Sequence, residues 1–408
     1  MKKQLKKLLA LTMALAMVLQ CAPVLAEEPT VTFNDTKAVV TTGNVDGKVQ
    51  VWTQSNENHE DGAIMIDENN VVWIWQEGQW VEYLDEEQNP VDPSTVQATV
   101  PDVSTYASAT IGGNNVDMVD KTGNVPEKID SLTVNAENVT DVSDISASTV
   151  YAYASSEADP VETIVNVGNV SATTDDHSEV DPEKPWVAVV DTGVDLSSWA
   201  KKDGSASVKA NADGDVTINV ESENRTANAR GVLINPSAED QGKASIEAAV
   251  SGDVTAVSAS ENESAYTYGV GVNPMATGKS ETSAKVTVEG SVTTSAAGGK
   301  NTTSIGVNVN PYEQDDAKAT ATVEVKGSVE ATASSDSSKA YAVGVQQAAS
   351  NSTGGTAEVK AGDVTAAAQG GKNTEAVGVN AQIYSGSNPD TKQTFTVGDV
   401  TATAELAK

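Results

Sequence analysis

A tripeptide of the form Gly-x-Val, followed by Thr, Ser or Glu and then by small residues, begins at Gly168, Gly214, Gly252, Gly290, Gly327, Gly362 and Gly398. Looser copies at Pro101 (P-D-V-S-T) and Glu137 (E-N-V-T-D) extend the series to nine corners, spaced by 36, 31, 46, 38, 38, 37, 35 and 36 residues. A second landmark, Gly-Val-x-x, starts at Gly231, Gly269, Gly306, Gly344 and Gly378, always 16 or 17 residues after a corner. Two landmarks held in step mark one supersecondary unit copied along the chain.

The copy around Gly290 shows the unit's three parts: A-K-V-T-V-E-G, then S-V-T-T-S-A, then a polar loop and S-I-G-V-N-V-N-P. Alternation over five or six residues, rich in β-branched side chains, reads as strand, and the glycine corners and Asn-Pro ends read as turns. Three short strands in about 37 residues cannot bury a face alone, whereas stacked copies can. The expected fold is therefore all-β, a parallel β-solenoid with small Val, Ala and Thr side chains in a narrow interior. With about 4.8 Å per coil, eight intervals make a prism about 40 Å long. A row of hairpins folded into sandwich domains is the competing reading. The chain stops ten residues past Gly398, before that unit's third strand, and an open solenoid end exposes unpaired strand edges. The expectation is that a partner, further repeats or an anchoring module covers it.

The front of the chain differs. Four lysines precede an apolar run from Leu8 to Leu19, and Val24-Leu25-Ala26 suits signal-peptidase cleavage, so residues 1–26 read as a signal peptide and the protein as exported. Cys21 offers lipidation as an alternative, although Gln20 stands where a lipoprotein motif has a small residue. Cleavage leaves no cysteine and no transmembrane segment, and takes the charge from −33 to −37 because the leader carries four lysines and no acid. Such acidity disfavours nucleic acid as a partner.

Residues 27–94 carry four of the six tryptophans and read as a small β module ahead of a solenoid over 95–408. V-V-W-I-W-Q-E-G-Q-W-V-E-Y-L-D reads as a hairpin turning at Glu77-Gly78, with Trp75 opposite Trp80 and Trp73 opposite Glu82. Cross-strand tryptophans stabilise small modules, and an exposed set of Trp73, Trp75, Trp80 and Glu82 would make a platform for sugars or cations. The run E-G-Q-W-V-E-Y-L-D-E-E-Q-N-P is similar to the G-x-W-x-Y-x-D pattern of choline-binding and glucan-binding repeats, in a single copy.

P-W-V-A-V-V-D-T-G-V-D, from Pro185 to Asp195, resembles the aspartate segment of subtilisin-like proteases. That resemblance implies a histidine and a Gly-Thr-Ser nucleophile downstream of Asp191, but His59 and His177 both lie upstream and no Gly-Thr-Ser follows. Gly193 lies 21 residues before its next corner, as do Gly231, Gly269 and Gly306, so the segment reads as a third strand of the repeat. Two histidines disfavour zinc. Calcium stays open at two acidic loops, Asp175, Asp176, Glu179 and Asp181, and Glu313, Asp315 and Asp316, although neither has EF-hand or nonapeptide spacing.

In its repeat grammar and its Ala, Thr, Val and Gly bias, the chain from about residue 95 resembles bacterial β-strand-repeat, adhesin-like surface proteins. The resemblance implies an extracellular structural or adhesive element without catalysis or cofactor, holding loops at fixed spacing for cell-surface glycans or host and matrix proteins. Two other readings are a carbohydrate-binding protein working through the Trp module and a β-helix polysaccharide-active enzyme. The near-uniform coils, whose strands read as poor in aromatic, Arg and Lys residues, weigh against the enzyme.

Overall fold

The computed structural model describes residues 30–34, 37–46, 50–53, 62, 64–66, 71–76, 79–85, 89–96, 105–111, 130–142, 147–178, 187–349, 355–383 and 392–406. The leader, Cys21, His59 and the corner at Pro101 lie outside them. The chain is a parallel β-solenoid with about 38 residues per turn. Three sheets of ten, nine and eleven strands form its walls. One turn shows the circuit: Glu281–Val288 in the first sheet, Val292–Gly298 in the second, Thr302–Val309 in the third, then Lys318–Val325 back in the first.

The alternating sequence becomes an alternating wall. Val254–Ser260 buries every second side chain, and the same parity recurs in Val216–Ser222. The inward residues form one continuous interior running from Ala38 to Val364, made almost wholly of Val and Ala, with Ile218, Leu196 and Ile234 among its largest fully buried members. Each buried Val contributes about 1.5–3 kcal/mol relative to exposure, so many small side chains supply what a few large ones do in a wide core. Some interior hydroxyls pair across the walls: the Ser258 and Thr267 side chains lie 2.6 Å apart, and Ser304 Oγ donates to Thr294 Oγ1 at 2.8 Å.

Both glycine landmarks are places of close approach. A Cβ at Gly252 would stand 2.0 Å from Asp215 Oδ1 and 2.8 Å from the Gly214 carbonyl, both in the preceding coil. The residue after each corner glycine builds a polar ladder there. The backbone N–H of Asp215 donates to Asn169 Oδ1 (3.0 Å), that of Asp253 to Asp215 Oδ1 (2.8 Å), and that of Ser291 to Asp253 Oδ1 (2.7 Å). The second landmark touches the first: a Cβ at Gly269 would meet Val292 Cγ1 at 2.3 Å, and Gly231 and Gly306 face Val254 and Val329 in the same way. In every one of these strands the glycine is skipped in the pairing register, so Thr192 pairs with Arg230 and Val194 with Val232. The alternation reverses there, because the glycine and the residue after it both face inward.

The structure departs from the sequence reading in several respects. The first corner is Gly43-Asn44-Val45, where Val45–Asp46 pairs in parallel with Val139–Thr140 and Asn138 Nδ2 donates to Asn44 Oδ1 at 2.8 Å. Lys37–Thr41 likewise pairs in parallel with Ser131–Asn135, so the solenoid's sheets take in strands from the segment read as a separate module. At this end Thr30–Asn34 and Thr105–Ile111 run antiparallel to their neighbours. Thr30–Asn34 is the end strand of the first sheet, whereas Thr105–Ile111 pairs on its other side, again antiparallel, with Gln50–Thr53. The Asn-Pro pairs are not the turns. Ala227–Ala238 runs straight through Asn235-Pro236, and Met275–Gly278 and Tyr312–Asp315 prolong the third sheet beyond theirs. Proline removes one ladder donor there, and the asparagines bridge the coils instead, Asn273 Nδ2 donating to Asn235 Oδ1 at 3.0 Å and Asn310 Nδ2 to Asn273 Oδ1 at 3.1 Å. The turn back to the first sheet comes later, at left-handed Lys202, Asp240, Gly278 and Asp315, with φ between 56° and 77°.

Gly252→Ala is expected to lower stability by about 1–3 kcal/mol through overpacking between coils. Gly43→Ala, whose Cβ meets nothing within 4 Å, should stay within about 0.5 kcal/mol of the parent. Urea unfolding of both variants checks the contrast, and equal losses would refute an inter-coil origin of the glycine rule.

Candidate functional site

The tryptophan hairpin has the expected register, with Trp73 paired to Glu82, Ile74 to Val81 and Trp75 to Trp80. A third strand, Ile64–Ile66, pairs with Val72–Ile74 and completes a small antiparallel sheet. Val72 is buried, Trp73, Ile74, Val81 and Tyr83 are half-buried, and Glu82 is exposed. The side chains of Trp75 and Trp80 lie outside the described residues.

Asp191 stands in the third sheet and faces inward. It occupies a column filled by Ala229, Thr267, Ser304 and Ala342 in the following coils. Its side chain is fully buried, Oδ2 accepts from Thr174 Oγ1 at 3.0 Å, and Oδ1 has no partner. Burial, with the carboxylate of Asp141 adding to it, pushes its pKa up to about 7 against the Thr174 and Thr192 hydrogen bonds. His177 is on an exposed corner beside Asp175 (3.0 Å) and Glu223 (3.9 Å). The protease-like segment is thus a strand of the wall, and its aspartate belongs to the core.

The acidic loops are tied into the frame. Buried Asp176 accepts from the Ser178 N–H and hydroxyl and from Ser222 Oγ (3.3 Å), and Arg225 Nε lies 3.7 Å away. Desolvation raises its pKa, but the Ser178 and Ser222 hydrogen bonds and the Arg225 charge outweigh it and hold the carboxyl below its usual range. Glu179 and Asp181 lie outside the described residues. In the other loop Glu313 turns inward and accepts from the Ala319 N–H at 3.3 Å, Asp315 takes the left-handed turn position, and Asp316 is exposed. Among the described residues, no three Asp, Glu, His or Cys side chains come together to hold a metal ion.

The outer face of the third sheet carries side chains that the sequence reading passed over. Where the alternation reverses, a cleft of about 370 Å³ opens, lined by Asn228, Arg230, Leu233, Tyr266, Tyr268 and Asn308 around the bare backbone of Gly271. Parallel pairing sets Asn228 beside Tyr266, Arg230 beside Tyr268 and Leu233 beside Gly271. Two coils before Arg230, Tyr151 and Tyr153 stack on the same face, ring centroids 6.5 Å apart. Burial and then the Asp195 carboxylate push the Tyr151 hydroxyl up to about 12. The coils are therefore not uniformly poor in aromatic and cationic residues. A signal for this face was present: the chain has two arginines, Arg225 and Arg230, and the alternating Y-T-Y of Tyr266 to Tyr268 follows one coil later. A second hollow, of about 330 Å³ on the first sheet, is crossed by ion pairs between coils, Lys209 to Glu162 and Lys285 to Glu247, both at 2.7 Å.

Fold and surface together define an acidic, three-walled parallel β-solenoid with a polar, aromatic cleft on its third wall. Compared with known proteins, the chain matches no family model, no curated protein and no solved structure. No helix among the described residues is long and apolar enough to cross a membrane.

Asp191 yields a pH prediction. Its pKa is raised on folding, so the folded chain holds the proton more tightly than the unfolded chain. The contribution of Asp191 to stability is greatest below about pH 4, falls as pH rises to about 7, and levels off there, a loss on the order of 4 kcal/mol for a shift of about three units. Asp191→Asn should unfold at higher urea than the parent at pH 8 and show a flattened profile between pH 4 and 7. An unchanged profile would refute the assignment.

Proposed function

We propose that the protein is an exported structural and adhesive element, a rigid prism that presents its corners and outer faces to cell-surface glycans or matrix proteins without catalysis. The observation that carries this reading is the unbroken residue-on-residue register of the walls. From Val170 to Val400 the second sheet stacks its corner valines one above another. Whatever stands at a corner or on a face is thereby repeated at a spacing of about 4.8 Å. Many polar groups of this frame are engaged with the neighbouring coil, in amide ladders, hydroxyl pairs or lysine–glutamate bridges. Such bridges are individually weak, about 0–1 kcal/mol each at a surface, but they place basic groups among the acids of a chain with charge −33. The remaining negative charge keeps the particle soluble and repels polyanions.

Two measurements test the reading. Expressed with its first 26 residues in a bacterial host, the chain should be recovered outside the cytoplasm beginning at Glu27. Beads coated with the folded full chain should adhere to glycan-coated or matrix-coated surfaces, and beads coated with urea-unfolded chain should not. Cytoplasmic retention of the uncleaved chain, or equal adhesion of folded and unfolded coats, would overturn it.

A further inference from the structure

The cleft on the third wall combines three properties. Its floor is open because Gly271 stands where the preceding coil has Leu233 and the following coil Asn308. Tyr266 and Tyr268, both half-buried, flank it. Its polar groups are also unspent. Arg230 makes no hydrogen bond or ion pair with any described residue, although its side chain is half-buried and carries five N–H donors. Asn228 and Asn308 each keep a side-chain carbonyl oxygen out of water with no partner. Outside the lining, one coil before Leu233 in the same column, Asp195 has one oxygen in the same state, and Arg230 offsets its charge.

Unmet donors alone would suit an anion. Here unmet donors and acceptors lie side by side, next to a carboxylate, on a protein of charge −33. A carboxylated or sulfated ligand would satisfy Arg230 but face Asp195 and the acidic surface beyond. A hydroxyl group donates and accepts at once, and the apolar face of a pyranose ring packs on a tyrosine ring. The coil spacing of about 4.8 Å is close to the length of one hexose along an extended chain. The tyrosine pairs at 151 and 153 and at 266 and 268 stand three coils apart on this wall.

We propose that this cleft binds a neutral hexose oligosaccharide, which lies along the stacking axis of the third wall. Tyr266 and Tyr268 pack against sugar rings, Arg230 donates to hydroxyls, and the amides of Asn228 and Asn308 turn their free oxygens toward the chain as acceptors. The site lies apart from the tryptophan hairpin. It supplies a ligand class for the adhesive reading and rests on it.

The test uses the full chain and calorimetric titration with cello-, laminari-, malto- and mannohexaose, with a hexauronate as the acidic comparison. At least one neutral hexasaccharide should bind. Arg230→Ala and Tyr268→Ala should each weaken it about tenfold or more, the loss expected for a hydrogen bond from a charged group or a stacked ring. Gly271→Gln adds a side chain to the floor at a position where the two following coils carry Asn308 and Gln346. Its Cβ would meet only the flexible end of Leu233 closely, at 3.0 Å, so this variant should keep the parent's circular dichroism and melting temperature while losing binding. Lys209→Ala, on the first wall, should bind as the parent does. Binding of the hexauronate alone, no binding of any neutral hexasaccharide, or binding unchanged in Gly271→Gln would each overturn the proposal. Bead adhesion separates the two readings: adhesion to a surface coated with the neutral glycan that survives Gly271→Gln refutes the cleft and leaves the adhesive scaffold standing, whereas a parent chain that adheres to neither glycan-coated nor matrix-coated surfaces refutes the scaffold's role.

Discussion

Everything in this chain follows from one spacing, the approach of about 4.8 Å between backbones in successive coils. At that distance the corner has room for a side chain from one coil or a Cβ from the next, but not both. Glycine yields the space at Gly214, Gly252 and Gly290, and the Asn or Asp of the coil before fills it, accepting an N–H from the coil after. Inside the bend the corner valine and the third-wall glycine divide the space in the same way. The two landmarks keep step in sequence because they touch in space.

The same spacing governs charge. The corner ladder reads Asn44, Asn138, Asn169, Asp215, Asp253, Ser291, Ser328, Asp363, Asp399, and no more than two carboxylates follow one another before a neutral residue intervenes. Like charges one coil apart repel, and each unbroken run of acids would add to that cost. On the first wall the solution is alternation, with Lys209, Glu247 and Lys285 in one column. Asp191 breaks the pattern in the interior, where burial and the Asp141 carboxylate raise its pKa to about 7 and favour its protonated form.

Much of this was legible in the sequence. Eight of the nine corner positions read from it begin strands of the second sheet, and Gly193 falls in the third-wall column that its spacing assigned. Stacking forces near-constant coil length, and constant length is a signal that survives in one sequence. The losses have physical causes too. Gly43-Asn44-Val45 was hidden because 94 residues separate Asn44 from its ladder partner Asn138, so no period points to it. The Asn-Pro pairs read as turns because proline ends most strands. Here a side-chain amide carries the connection past it. Lys202 and Asp240 give no glycine to mark the left-handed turn.

The cleft was invisible for a different reason. Outward positions escape the packing rule, so their residues follow no period, and scanning a single coil meets only a Tyr, an Arg or an Asn. Arg230, Tyr268 and Gly271 become neighbours only once the register between Ala227–Ala238 and Ala265–Val272 is known. A solenoid separates its two tasks in this way: inward positions are held to small side chains by the spacing, while outward positions are free to vary from coil to coil. Departures from the repeat that point outward cost the frame little, and such a departure can persist where it makes contact with something outside the chain. Read with this rule, Asp191 is an irregularity the core must tolerate, while the two tyrosines, the arginine and the missing side chain at Gly271 are irregularities the core never meets.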